Sequence, residues 1–181
     1  NRYETYKDLI NYCKLSANPV GEIVLKIFGY NSTDHINLSN KICTGLQIAN
    51  FLQDIKRDSE LGRIYIPIED LKKFNVKESE IINQTSTNNF NRLIEFESRR
   101  CWDIFNDGIQ LINLLKGYQK IPISLFISSG RKVLIKIHEI NYDTLQVRPV
   151  ITKSEKSILT IKAITRYLFG LSLAKKKKYL D

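Results

Sequence analysis

Methionine is absent from the 181 residues, tryptophan occurs once and proline four times. Cysteine is scarce too. Cys13, Cys43 and Cys101 are odd in number and form no close pair, so neither a disulfide framework nor a cysteine metal site is expected; reduced thiols in a cytoplasm are. No apolar run approaches the roughly 18–20 residues that cross a bilayer, and residues 1–10 lack the charged-then-apolar layout of a secretory signal. The chain opens on Asn1 and holds no methionine, so it reads as processed or cut from a longer one. Acidic residues are the minority, 19 against 28 basic ones, for a net charge of +9. That balance attracts polyanions in general. The basic residues are scattered, however, with no zinc-finger spacing or aromatic-glycine RNA-binding signature, so nucleic acid is not an expected partner. The one dense cluster, Lys175 to Lys178, reads as a solvated tail, with a weak tether to anionic lipid as the alternative.

What is present is a real core: 43% hydrophobic residues in a chain of this length predict a single domain over 1–181. Helical periodicity recurs almost throughout. Residues 2–17 read as a helix that Asn18-Pro19 breaks or kinks, with resumption over 20–28. The polar stretch 29–40 reads as a loop, with Ser39 capping a helix over 40–58. Pro67, followed by Glu69 and Asp70, starts a short helix over 68–74. Residues 83–89 are loop by composition. Leu93, Phe96, Arg100, Ile104, Ile109, Ile112 and Leu115 then trace a long helix, and further helices are expected over 122–141 and 156–173. No useful two-residue alternation intervenes, so the fold class is all-α, a bundle of about six or seven helices.

The stretch 47–58 poses the functional question. At 100° per residue Gln47, Asn50, Asp54 and Asp58 fall within an arc of roughly 80°, rising in steps of about 5 to 6 Å. Aspartates four residues apart repel unless they face solvent or share a cation. Residue chemistry alone leaves two readings open. One is an acidic face in water. The other is a ladder of oxygen ligands for Mg²⁺, which binds through one or two carboxylates plus phosphate oxygens. The amides in the stripe, Phe51 beside it, and Arg63 and Tyr65 just beyond favour the second. Arg57 and Arg63 would then add charge-assisted bonds to a diphosphate.

The run Gln47, Asn50, Asp54, Asp58, followed by Gly62-Arg63-Ile64-Tyr65-Ile66-Pro67, resembles the second aspartate-rich motif of the squalene/phytoene synthase family. Residues 12–21 and 50–55 look most like its hydroxysqualene branch, from bacterial hopanoid biosynthesis. Arg148, in the stretch 141–149, matches a family arginine near the diphosphate. The resemblance implies an isoprenoid synthase-type helical bundle with a central prenyl cavity, here lacking its N-terminal helices, since the family's first aspartate-rich motif would lie upstream of Arg2-Tyr3. It implies Asn50, Asp54 and Asp58 as metal ligands, with Asp54, Asp58 and Tyr65 carrying the chemistry. Gln47 matches a polar position of the reaction site, and Tyr12, Ala17, Val20 and Gly21 match the kinked helix that walls the cavity.

The implied substrate is a prenyl diphosphate, presqualene or farnesyl diphosphate, with Mg²⁺ as cofactor. For the hydroxysqualene branch no NADPH is expected. Squalene or phytoene synthesis is the alternative, and a catalytically dead helical fragment or interaction module is the alternative of another class. A greasy substrate also suggests peripheral contact with the inner membrane face, while oligomeric state is left open. Arg131, where some relatives carry a tyrosine, reads as a surface-helix residue. Glu97, Arg99 and Arg100 read as surface charges with local partners, Trp102 as core or rim, and His35 and His138 as solvated or satisfied histidines.

Overall fold

The computed structural model describes residues 2–172 and 174–179, and among them there is no strand. The helices are α1 (Tyr6–Ser16), α2 (Asn18–Ile27), α3 (Thr33–Gln53), α4 (Ile55–Glu60), α5 (Ile68–Lys73), α6 (Glu78–Ile82), α7 (Asn88–Gly108), α8 (Leu111–Leu114), α9 (Lys120–Glu139) and α10 (Lys153–Leu168). The all-α expectation holds. So does the break ahead of Pro19: α1 ends at Ser16, and Ala17 joins it to α2. Side-chain caps set several starts. Thr5 and Asp8 form a reciprocal capping box on α1, Thr152 and Glu155 do so on α10, and Thr87 caps α7.

Two expectations for the central helix are corrected. It begins at Thr33, not near 40, and Ser39 is a buried residue within it, not its cap. The first two turns of α3 lie mostly at the surface, so their composition is polar and imitates a loop. Nor does one helix run on to 58. At Asp54 the backbone leaves the helical basin (φ −108°, ψ 17°) and α4 starts at the next residue. The hydrogen-bond ladder survives the joint, since Asp54 N–H donates to the Asn50 carbonyl at 3.0 Å and Asp58 N–H to that of Asp54 at 2.8 Å. The result is a bend with no loss of backbone pairing. The last helix ends at Leu168; residue 173, where its end was expected, lies outside the described residues.

α3 is the hub, packed against α1, α2, α7 and α9. Two glycines let α7 and α9 pack closely beside it. Phe105 of α7 is fully buried between Gly45 of α3 and Gly130 of α9, and a Cβ on Gly130 would stand 2.3 Å from the Phe105 ring. A larger residue at either glycine would push the three helices apart. α2 crosses α3 just as closely, since a Cβ on Gly21 would meet Ser39 Oγ at 2.5 Å and Cys43 Sγ at 2.6 Å.

The predicted surface charges on α7 are partly inside. Arg99 does pair with Glu95 at the surface, at 2.7 Å. Glu97, however, is 2% exposed, and Arg100 reaches both Glu97 (2.5 Å) and buried Asp70 of α5 (2.6 Å) while its guanidinium lies 3.5 Å over the Tyr6 ring. This cluster ties α1 and α5 to α7. Arg131, read as a surface residue, is likewise buried, under the 174–179 segment that folds back over α7 and α9. A periodicity argument cannot see these partners because they come from distant parts of the chain.

Burial raises the Glu97 carboxyl from 4.5 to about 7 against the opposing pull of Arg100. The folded state therefore holds this proton more tightly than the unfolded one, and the stability it contributes is lost as pH rises from about 4.5 to about 7. Glu97→Gln should remove that slope. Melting temperatures taken across this range should show the wild type gaining on the variant as pH falls, and parallel curves would refute the buried-proton account.

Candidate functional site

The Asp54 joint brings four elements together. The Asp54 side chain is buried at the end of α3 and accepts from Arg148 Nε at 2.5 Å and Nη2 at 3.4 Å. The loop carrying Arg148 is held by α3 itself, through Gln53 Nε2 donating to the Pro149 carbonyl at 2.5 Å. Asp58, half-buried on α4, has its carboxyl held above the ordinary aspartate range by burial first and by the Asp54 charge second, against the opposing pull of Arg63 and Arg57. A carboxylate whose proton is held more tightly because a second carboxylate stands beside it is under-compensated by its cationic neighbours. Arg57 and Arg63 are exposed beside it.

A tight turn places Arg63. Gly62 adopts φ 71°, and its N–H donates to the Ser59 carbonyl while that of Arg63 donates to the Asp58 carbonyl, closing α4 with a paired 5→2 and 6→1 cap. Only glycine takes this φ readily. Beyond the turn, Tyr65 stacks on Phe51 with 3.7 Å between centroids and 6° between planes. Tyr12 and Tyr3 complete an aromatic quartet, at 5.9 and 6.0 Å from Tyr65. Tyr3 was not picked out from sequence; it arrives because the carbonyls of Tyr3 and Glu4 accept from the N–H groups of Ile68 and Glu69. Burial, contact with Tyr12 and the nearby Asp58 charge raise the Tyr65 hydroxyl above its ordinary value.

Down the same strip of α3 the chemistry changes. Asn50 is exposed and Gln47 half-buried, and from Leu46 toward the N-terminus the surface becomes an apolar groove of about 180 Å³. Val20, Gly21, Val24, Ile42, Cys43 and Leu46 line it with Ile123 and Phe126 of α9. The structure thus joins Val20 and Gly21 in the groove and Tyr12 and Tyr65 in the quartet, while Ala17 is the half-buried hinge between α1 and α2. The expected central cavity is, in the described residues, an open groove. Val20 is 60% exposed at its rim.

Among the described residues no three His, Cys, Asp or Glu side chains gather as a metal cluster. Asn50, Asp54 and Asp58, at steps of four residues across the α3–α4 joint, offer one amide and two carboxylate groups, an all-oxygen set of the kind a hard divalent cation takes when substrate supplies further oxygens. The unrelieved repulsion at Asp58 fits such an ion. His35, bonded to Ser32 and stacked on Tyr30, and the exposed His138 lie apart from this set.

The chain is 28% identical over 160 residues to the 15-cis-phytoene synthase of Synechococcus elongatus, covering 82% of this chain and 52% of that protein. It is 34% identical over 119 residues to the hydroxysqualene synthase of Rhodopseudomonas palustris, covering 65% and 40%. Among solved structures, squalene synthase HpnC from Alicyclobacillus acidocaldarius superposes with a TM-score of 0.76 at 38% identity, over 78% of this chain and 54% of that one. The chain spans about half the length of these relatives. Residues 1–155 match the squalene/phytoene synthase family, and the chain belongs to it.

Proposed function

We propose that this chain supplies one half of a prenyl diphosphate site, and that its substrate is presqualene diphosphate, ionised with Mg²⁺ and captured by water as hydroxysqualene. One observation carries the reading: an apolar groove along one strip of α3 leads to a carboxylate pair at the joint between α3 and α4. That order suits a molecule with a diphosphate head and an isoprenoid tail. The likeness to a hydroxysqualene synthase and to squalene synthase HpnC supports the branch.

Asn50, Asp54 and Asp58 would hold Mg²⁺, which when bound neutralises the departing diphosphate. Arg148 keeps Asp54 compensated beforehand, and being 47% exposed it is free to move its donors onto phosphate oxygens. Arg57 and Arg63 add two further cations. The C–O bond breaks with its electron pair leaving on the diphosphate. The faces of Tyr65, Tyr12 and Phe51 would then provide π density near the carbocation, with the isoprenoid tail lying in the open groove. Gln47 lines the boundary between the two regions. Water supplies the oxygen of the product and releases one proton.

Head-to-head condensation to squalene or phytoene is the second reading, favoured by the larger share of the chain matched by a phytoene synthase. Peripheral membrane contact belongs to either, because the product partitions into lipid. No helix among the described residues is long and apolar enough to cross a membrane.

Calorimetric titration with farnesyl thiodiphosphate, which resists ionisation, should show binding only with Mg²⁺. Asp54→Asn and Asp58→Asn should each weaken it about tenfold or more, the scale of one lost charge-assisted contact; metal-independent binding would sink the mechanism. Leu46→Trp should block the tail, weakening the thiodiphosphate ester while leaving Mg²⁺-dependent inorganic diphosphate binding in place. Equal loss of both ligands would argue against the groove. Mass analysis of turnover products, from this chain and from a version extended upstream to the length of its relatives, should give hydroxysqualene with no reduced nicotinamide added. Squalene formed only with nicotinamide, or phytoene, assigns the second reading, and inactivity of both proteins assigns a dead module.

A further inference from the structure

On the side of α9 that faces α10, another cavity, of about 280 Å³, shares no lining residue with the groove or the aspartate pair. Its charge is of one sign: Arg131, Lys132, Lys162, Arg166, Lys175 and Lys177 all line it. Arg131 sits at its base, 8% exposed. The guanidinium donates to Asn106 Oδ1 at 2.6 Å and to the Lys175 carbonyl at 3.3 Å and lies 5.0 Å from the Trp102 ring, but among the described residues it meets no carboxylate. Its Nε is buried without a hydrogen-bond partner. Burial alone pulls this group down to about 10, still protonated at neutral pH. Of the other five cations, among the described residues only Lys132 reaches a carboxylate, Glu155 at 3.1 Å and Glu139 at 3.8 Å, and both are shared with Lys136.

A buried cation with no counter-charge is costly, and a ring of further cations raises that cost. An anion in the cavity removes it. We infer that the cleft between α9, α10 and the 174–179 segment is a second binding site, for a phosphate-bearing anion, distinct from the Asp54–Asp58 face. The components suit that class of ligand: a fixed planar fork at the base, mobile ammonium groups at the rim, and the hydroxyl-bearing Ser124 and Ser128 on the wall. The volume accommodates a phosphate or diphosphate group. Such a group could arrive free or as the head of an anionic lipid, and the chemistry of recognition is the same.

Trp102 is the sole tryptophan and lines the cavity, so its fluorescence reports occupancy directly. Titrating the full chain with sodium diphosphate in metal-free buffer should give a saturable change. Lys162→Ser combined with Arg166→Ser, both at exposed positions, should weaken it about tenfold or more without altering the melting temperature, and Arg131→Gln should abolish it. Asp58→Asn should leave it intact. Co-sedimentation with phosphatidylcholine vesicles, with and without phosphatidic acid, separates the sources. Capture that needs phosphatidic acid, is lost in the double variant and is competed by diphosphate assigns a lipid headgroup; fluorescence saturation with no capture assigns a free anion. Absence of any saturable change, or a change or capture that the double variant keeps, overturns the proposal.

Discussion

The insertion of Phe105 between Gly45 and Gly130 is the constraint on which the architecture depends. It brings α3, α7 and α9 to a distance that leaves no room for a side chain at Gly130 and only a tight one at Gly45. With α1 and α2 closing another flank, α3 keeps one strip uncovered, and that strip carries Cys43, Leu46, Gln47, Asn50 and the approach to Asp54. Small residues in the core thus determine which few side chains of the hub helix face a ligand.

Electrostatics divides the molecule along the same lines. A chain of net charge +9 concentrates one carboxylate pair where a cation and an anionic substrate would meet, and tempers it with Arg148. A second carboxylate pair, Glu97 and Asp70, is spent on structure: Arg100 lies between them, and the Tyr6 ring covers its guanidinium. Arg131 has the opposite problem, a buried positive charge that among the described residues meets a carbonyl, an amide and the Trp102 ring but no carboxylate. The two sides of α9 consequently present different surfaces, an apolar groove toward α2 and α3 and a cationic cleft toward α10.

Much of this was legible in the sequence wherever a local rule governs. The helix after Pro67 and the interruption before Pro19 follow from period, caps and proline chemistry, and so does the long helix through Leu93 and Ile104, except that it ends at Gly108: Ile109, Ile112 and Leu115, expected on its stripe, lie beyond its end, Ile112 in the separate short α8. The motif around Asp54 was legible because its polar positions repeat at helical spacing. The start of α3 was not, since solvent-facing first turns carry loop-like residues. The bend at Asp54 escaped because no proline or glycine marks it. Glu97, Arg100 and Arg131 were misplaced for a different reason: their burial depends on Asp70, Tyr6 and the 174–179 segment, partners that nothing in local spacing announces.

The bend at Asp54 has a mechanical meaning as well. Were α3 to continue unbroken, the gap between the two aspartates would be dictated by helical pitch, a length no protein can adjust. Because one belongs to the joint and the other to a separate short rod, a single pair of torsion angles tunes how far apart the carboxylates stand. In the proposed Mg²⁺ site, selectivity between a small and a large divalent ion would then be set through backbone geometry, with every ligand atom left unchanged.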